Sequence, residues 1–226
     1  MVYKITEFKI SDMYKELRVS FGYMDWWPGE SNDEIVIGAI LTQQASWENV
    51  EKAIRTLKKR KMLGLRELSE RNIEEIEDAI KASGFYRKKA ARLKRISTYV
   101  INRYGSLGAF FDNDRDKLRK ELLAMEGIGM ETADAILLYA ANKRIFVVDA
   151  YTRRIMSRVY GIDPKIEYEE LRKIMEKGAK MDIRVYKDFH AQIVELGKRN
   201  CRKRPLCSGC PLKNRCNLAH SVEGRR

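Results

Sequence analysis

Four cysteines crowd the end of the chain. Cys201, Cys207, Cys210 and Cys216 follow the spacing C-x5-C-x2-C-x5-C and fall within sixteen consecutive residues. Four thiolates from one loop are enough to hold the corners of a single 4Fe-4S cubane. The same four could instead take a structural zinc. Disulfides are the poorer use. Met1 to Lys15 mixes charges with apolar residues and offers no continuous apolar stretch, so neither a signal peptide nor a membrane span is expected. The expected compartment is the cytosol or the nucleoid, where thiols stay reduced.

A second chemical feature is the run Glu126-Gly127-Ile128-Gly129. Two glycines let the backbone turn sharply and present its N–H groups, with a helix N-terminus, to a phosphate without side-chain obstruction. Such a pair also joins helices for packing reasons alone, so its surroundings must decide. One surrounding fact is charge. The 45 basic residues against 32 acidic ones leave a formal +13, which favours a polyanion and a binding strength that falls steeply with salt. Surfaces rich in both signs of charge also occur for stability, but that does not account for an excess of one sign.

The elements that must position these groups read as helices. At 226 residues and 44% hydrophobic content the chain can bury a substantial core. Apolar residues recur at three- and four-residue intervals almost throughout, and only four prolines and fourteen glycines interrupt them. Ser31 with Glu34 predicts a capping box opening an apolar helix through Leu41, and Val50, Ala53, Ile54 and Leu57 mark one face of the next. Asn72 with Glu75 opens another helix that Gly84 ends, and Ala90, Leu93 and Ile96 give its successor a buried stripe. An amphipathic helix over 115–125 enters the glycine hairpin. Ala133, Ile136, Leu137 and Ala140 stripe the helix that leaves it. Further helical patterns run over 167–177 and 184–198, and no segment reads as a strand.

The segment from Leu123 to Thr132, followed by Ile145-Phe146-Val147-Val148 and Asp149, resembles the helix-hairpin-helix and aspartate signature of the endonuclease III superfamily of base excision glycosylases. Leu41-Thr42-Gln43-Gln44 is similar to that family's early helix. Gly84-Phe85-Tyr86 with Lys88, Lys89 and Ala90 is similar to its middle motif, and the cysteine tail to its cluster loop. The resemblance covers about residues 30 to 216. It implies an all-α, two-lobed fold: a six-helix domain over 30–143 carrying the hairpin, and a second domain of 1–29 joined to 144–226 carrying the cluster loop. It further implies a monomer bound to double-stranded DNA containing a damaged or mismatched base, with Gly127, Ile128, Gly129 and Thr132 on the backbone. The cofactor it implies is a 4Fe-4S cluster, although family loops usually have one more residue between the first two cysteines.

By the same resemblance Asp149 is the catalytic carboxylate. Breaking an N-glycosidic bond develops oxocarbenium charge on the sugar, which a carboxylate stabilises while it orients or deprotonates water. An Asp before Ala150-Tyr151 is also a good helix cap. Members that nick the strand carry a lysine two residues after the second hairpin glycine, whose amine forms a Schiff base with the sugar. Here Glu131 stands there, so a monofunctional glycosylase with little or no lyase activity is expected. An acidic residue in a first helical turn is favoured by the dipole in any case.

Trp26-Trp27-Pro28 and Trp47, together with Glu131 and Ala133 to Leu137, look most like the 3-methyladenine glycosylase branch. That implies Trp27, Pro28 and Trp47 as pocket residues stacking on an alkylated, cationic purine. Tryptophans at helix starts also serve as core anchors. Gln44 matches the position that fills the gap left by the flipped nucleotide. A thymine or uracil mismatch glycosylase is the alternative within the class; a noncatalytic DNA-binding protein and an RNA-binding protein are the alternatives outside it. His190, beside Phe189 and Ile193, reads as a packed or surface residue with no catalytic or metal role.

Overall fold

Ser31 caps the helix that the whole first unit is built around. In the computed structural model, which describes residues 7–24, 26–178 and 182–223, the Ser31 hydroxyl accepts from the Glu34 amide at 3.2 Å. The reciprocal half of the expected box is diverted. Glu34 accepts instead from the Glu30 amide at 3.1 Å and pairs with Lys58 at 3.2 Å, because a nearby ammonium draws the carboxylate away from its own cap. The Asn72/Glu75 box is complete.

From Ile35 onward, helix α2 (Asn32–Leu41) is apolar on all sides, as befits a helix enclosed by others. Val36, Ile37, Ile40 and Leu41 are fully buried, against α3 (Trp47–Lys59), α6 (Tyr86–Tyr104) and α9 (Met130–Ala135) with the π-helical turn Ile136–Ala140 that continues it. These belong to a unit spanning Pro28–Lys143. Short helices α4 (Leu65–Glu70), α5 (Ile73–Ala79) and α7 (Leu107–Phe111) complete it with α8 (Arg115–Leu123). The unit therefore has eight α-helices, besides the 3-10 turn Lys81–Ser83, where the resemblance implies six. Helices α4 and α7 are only one or two turns long, too short for a helical period to stand out in sequence.

The second unit joins Met1–Trp27 to Arg144–Arg226. Its described residues form α1 (Glu7–Phe21), α10 (Ala150–Tyr160), α11 (Tyr168–Gly178), α12 (Ile183–Arg199) and α13 (Asn217–Glu223). Helix α12 packs on α1 and α10, and Met13, Leu17, Phe146, Ile155, Phe189 and Ile193 form the core. Gly197 lets α12 and α10 approach closely, since a Cβ there would lie 2.1 Å from the Tyr151 ring. Buried Asp188 accepts from Tyr14 Oη at 2.8 Å, the Met24 amide at 2.7 Å and Gln192 Nε2 at 3.0 Å. That network ties the segment leading to the tryptophans onto α12 and satisfies a carboxylate that burial alone would penalise. Among the described residues there is no strand, and no helix is long and apolar enough to cross a membrane. Residues 1–6 of the charged N-terminal stretch lie outside the described residues.

Candidate active site and cysteine loop

Asp149 directly follows the buried run Ile145–Val148. The run is held by the Glu176 carboxylate on the Phe146 amide at 3.0 Å and the Tyr168 hydroxyl on the Val148 amide at 3.3 Å. Asp149 caps α10: Oδ1 accepts from the Thr152 amide at 2.7 Å and the Thr152 hydroxyl at 2.9 Å. Its other oxygen lies 3.6 Å from His190 Nε2. Burial on its own would raise this carboxyl, but the His190 imidazole and the two Thr152 donors outweigh it and hold the group below the ordinary value of 3.8. The carboxylate is thus ionised and orientationally fixed, while 12% of its side chain stays exposed. One carboxylate oxygen is thus committed to the cap, and the other is left facing His190.

Sequence alone reads His190 as merely packed. It is packed, edge-on to Phe146 with centroids 6.3 Å apart, and it also faces Asp149. The two residues are far apart in the chain, and only the packing of α12 against α10 joins them.

The hairpin lies in the unit of residues 28–143. Gly127 has φ +85°, a conformation open to glycine at little cost, and a Cβ on it would sit 2.1 Å from Arg92 Nε. Ile128 is buried, so only its backbone can meet a ligand. A cleft of about 420 Å³ gathers Gln44, Gly127, Gly129, Glu131 and Thr132 with Gln43, Phe85, Lys88, Lys89 and Arg92. The last five are not among the site residues expected from sequence. Gln43 is the joint: its Nε2 donates to Gly127 O at 3.1 Å and Thr132 Oγ1 at 2.9 Å, and its Oε1 accepts from Arg92. The Thr132 hydroxyl is therefore engaged inside the protein. Gln44 is exposed at φ +52°, and Phe85 is 62% exposed at φ +46°.

Trp47 and Pro28 lie outside the lining of that cleft. Trp47 is half-buried, its Nε1 donating to Glu51 one turn on at 2.7 Å. Pro28 is exposed. Trp27, half-buried in the other unit, meets Trp26 edge-on at 6.1 Å.

Cys201, Cys207, Cys210 and Cys216 line one small recess with Pro205, Leu206, Leu218 and Ala219. Among the described residues no three or more Cys, His, Asp or Glu side chains are closed up as a metal-ion site. The donors nevertheless converge: burial pushes the Cys210 thiol up, and the other three cysteines add to it. Four sulfurs gathered under apolar walls suit a cationic metal centre. Two arginines of α10 clamp the loop. Arg154 donates to Cys201 O at 2.8 Å and Gly197 O at 3.2 Å; Arg158 donates to Cys201 Sγ at 3.3 Å and Arg202 O at 2.6 Å. The helix that Asp149 caps is thereby fastened to the cysteine loop.

A family model described as "HhH-GPD superfamily base excision DNA repair protein" matches residues 37–181. A Methanocaldococcus jannaschii protein that carries the provisional name of a DNA repair glycosylase is 44% identical over 96% of both chains. Endonuclease III of Thermotoga maritima is 32% identical, over 81% of this chain and 82% of its own. The crystal structure of Helicobacter pylori 3-methyladenine DNA glycosylase (MagIII) bound to 1,N6-ethenoadenine superposes with a TM-score of 0.78 at 30% identity, over 86% of this chain and 98% of that one.

Proposed function

Because this chain belongs to the HhH-GPD superfamily of base excision DNA repair proteins, we propose that it is a monofunctional DNA glycosylase that removes an alkylated purine such as 3-methyladenine from double-stranded DNA. The observation that carries this reading is Asp149, an ionised carboxylate locked by Thr152 and faced by His190. As the N-glycosidic bond stretches, positive charge grows on the sugar. A fixed negative charge in a largely buried setting stabilises it without reorganisation. The same oxygens can orient the attacking water.

Other residues supply grip and shape. The Gly127–Gly129 turn and the amides opening α9 hold the DNA backbone without reading sequence. Gln44 enters the space vacated by the extruded nucleotide, and exposed Phe85 offers a second stacking surface beside it. An alkylated purine ring is cationic and attracted to aromatic faces, and Trp27, Pro28 and Trp47 are the residues that the family resemblance offers for that contact. The likeness to MagIII supports this choice of base. Glu131 occupies the position of the lyase lysine and cannot form an imine, which supports hydrolysis without strand cleavage.

Cys201, Cys207, Cys210 and Cys216 would hold a 4Fe-4S cluster, which supplies a rigid cross-link between Cys201 and the segment leading into α13. The chain's own arginines, Arg154 and Arg158, carry that rigidity to α10. Arg202, Lys203 and Arg204 add basic charge for phosphates. The protein acts as a monomer in the cytosol or on the nucleoid, where its substrate is.

One assay tests the reading. A set of duplexes carrying 3-methyladenine, 7-methylguanine, 1,N6-ethenoadenine, uracil, mismatched thymine or an oxidised base is incubated with the protein and scored for free base and for abasic sites. Release of alkylated purines is expected. Release confined to uracil or mismatched thymine would replace the substrate, and no release from any duplex would leave a noncatalytic binder.

A further inference from the structure

Among the described residues Lys89 is the largest side chain that is both charged and almost wholly buried, at 1% exposure. An unpaired ammonium in that position would be costly. It is paired, but with backbone: Nζ donates to Leu41 O at 2.8 Å and to Ser83 O at 2.6 Å. Both partners sit at chain corners. Leu41 is the last residue of α2, whose final carbonyls have no partner within the helix. Ser83 ends a single 3-10 turn, Lys81–Ser83, just before Gly84 and Phe85.

The two corners share an unusual backbone. Three residues beyond Leu41 stands Gln44, and two beyond Ser83 stands Phe85; both are non-glycine residues with positive φ, 52° and 46°. Both are exposed and both line the same cleft, beside Lys89 itself. Left-handed backbone in such residues persists only where neighbouring structure holds it. One cation gripping the two chain segments that lead into these corners does that, and a cation is also the favoured charge at the C-terminus of α2.

We propose that Lys89 is a positioning residue for lesion recognition: by binding Leu41 O and Ser83 O together it sets the spacing of the Gln44 and Phe85 side chains that enter the DNA. The inference rests on the proposed function, in which this cleft faces DNA. Recognition then depends on a residue that touches no nucleotide. Burial and the nearby Arg92 push the Lys89 ammonium down to about 8, so the link weakens in mildly alkaline solution. The other charged groups in the cleft are Lys88 and Arg92 on α6 and Glu131 on α9.

The test compares the wild-type chain with Lys89→Met, which keeps length and apolar volume but removes the donors. Binding is measured to an undamaged duplex and to one carrying a tetrahydrofuran abasic analogue with 2-aminopurine opposite it. The expected result is undamaged-duplex affinity unchanged within about twofold, with preference for the analogue and the 2-aminopurine signal reduced by about tenfold. Preference retained by a folded Lys89→Met overturns the proposal. If that variant does not fold, the wild type decides: the carbonyl carbon resonances of Leu41 and Ser83 should titrate together near pH 8, with analogue preference falling over the same range. Separate or absent titration overturns it. A wild type that shows no preference for the analogue at neutral pH instead refutes the DNA-facing reading of the cleft.

Discussion

Replacing Asp149 by Asn separates chemistry from folding more cleanly than any other change. In the wild type Oδ1 accepts from the Thr152 amide and hydroxyl, and an Asn carbonyl can accept both, since Asn caps helices as well as Asp does. What the folded state loses is a charge at the start of α10, worth about 0.3–1 kcal/mol, and with it the attraction between that charge and His190. For a chain of this size that lowers the melting midpoint by about 1–4 °C. On the proposed role the transition state loses more: a preorganised electrostatic group facing developing charge is worth about 2.7–4 kcal/mol, or 10²–10³ in rate. Asp149→Ala also forfeits the cap, about 1 kcal/mol further. Single-turnover release of the excised base, read beside thermal unfolding and affinity for lesion duplex, checks this. Turnover by Asp149→Asn within about tenfold of wild type, or affinity falling in step with rate, would refute the assignment. The depressed ionisation of Asp149 sets a pH dependence as well. The stability it contributes is present above the ordinary 3.8 and is lost as pH falls through the lower value in the folded protein. Any acid limb due to this carboxylate therefore lies below pH 3.8.

Borohydride reduction on abasic DNA should trap no covalent complex with the wild type, whereas Glu131→Lys should yield one; efficient trapping of the wild type would remove the monofunctional reading. Gly127→Ala forces a positive φ on a side chain and drives its Cβ into Arg92, breaking the Arg92–Gln43 link. A loss of more than about 1 kcal/mol in denaturant unfolding, with weaker binding to any duplex, is expected. Purified protein should absorb broadly toward the blue and carry four irons per chain, as a 4Fe-4S cluster requires. Cys216→Ser should lose the colour and lower the melting midpoint, while a colourless, zinc-loaded protein would contradict the cluster.

Local signals in the chain are enough for much of the fold. Asn72 and Glu75 stand three residues apart and close on each other, and Ala133, Ile136, Leu137 and Ala140 are buried as their period requires. Helix ends differ by a residue or two from the sequence expectation: the helix entering the hairpin stops at Leu123, and those later in the chain run over Tyr168–Gly178 and Ile183–Arg199. No comparable signal announces the helix Glu7–Phe21, because charges interrupt its apolar positions.

By itself the sequence determined the helical class, the hairpin, the carboxylate following it and the set of four thiols, since each is written in neighbouring residues and obeys short-range geometry. Only tertiary structure decided that His190 faces Asp149, that Gln43 ties α2 to the hairpin, that Arg154 and Arg158 fasten α10 to the cysteines, and that Lys89 is spent on two backbone carbonyls. Those pairings join residues distant in the chain. They exist because buried polar groups must find partners wherever helix packing delivers them, and no local pattern records that delivery.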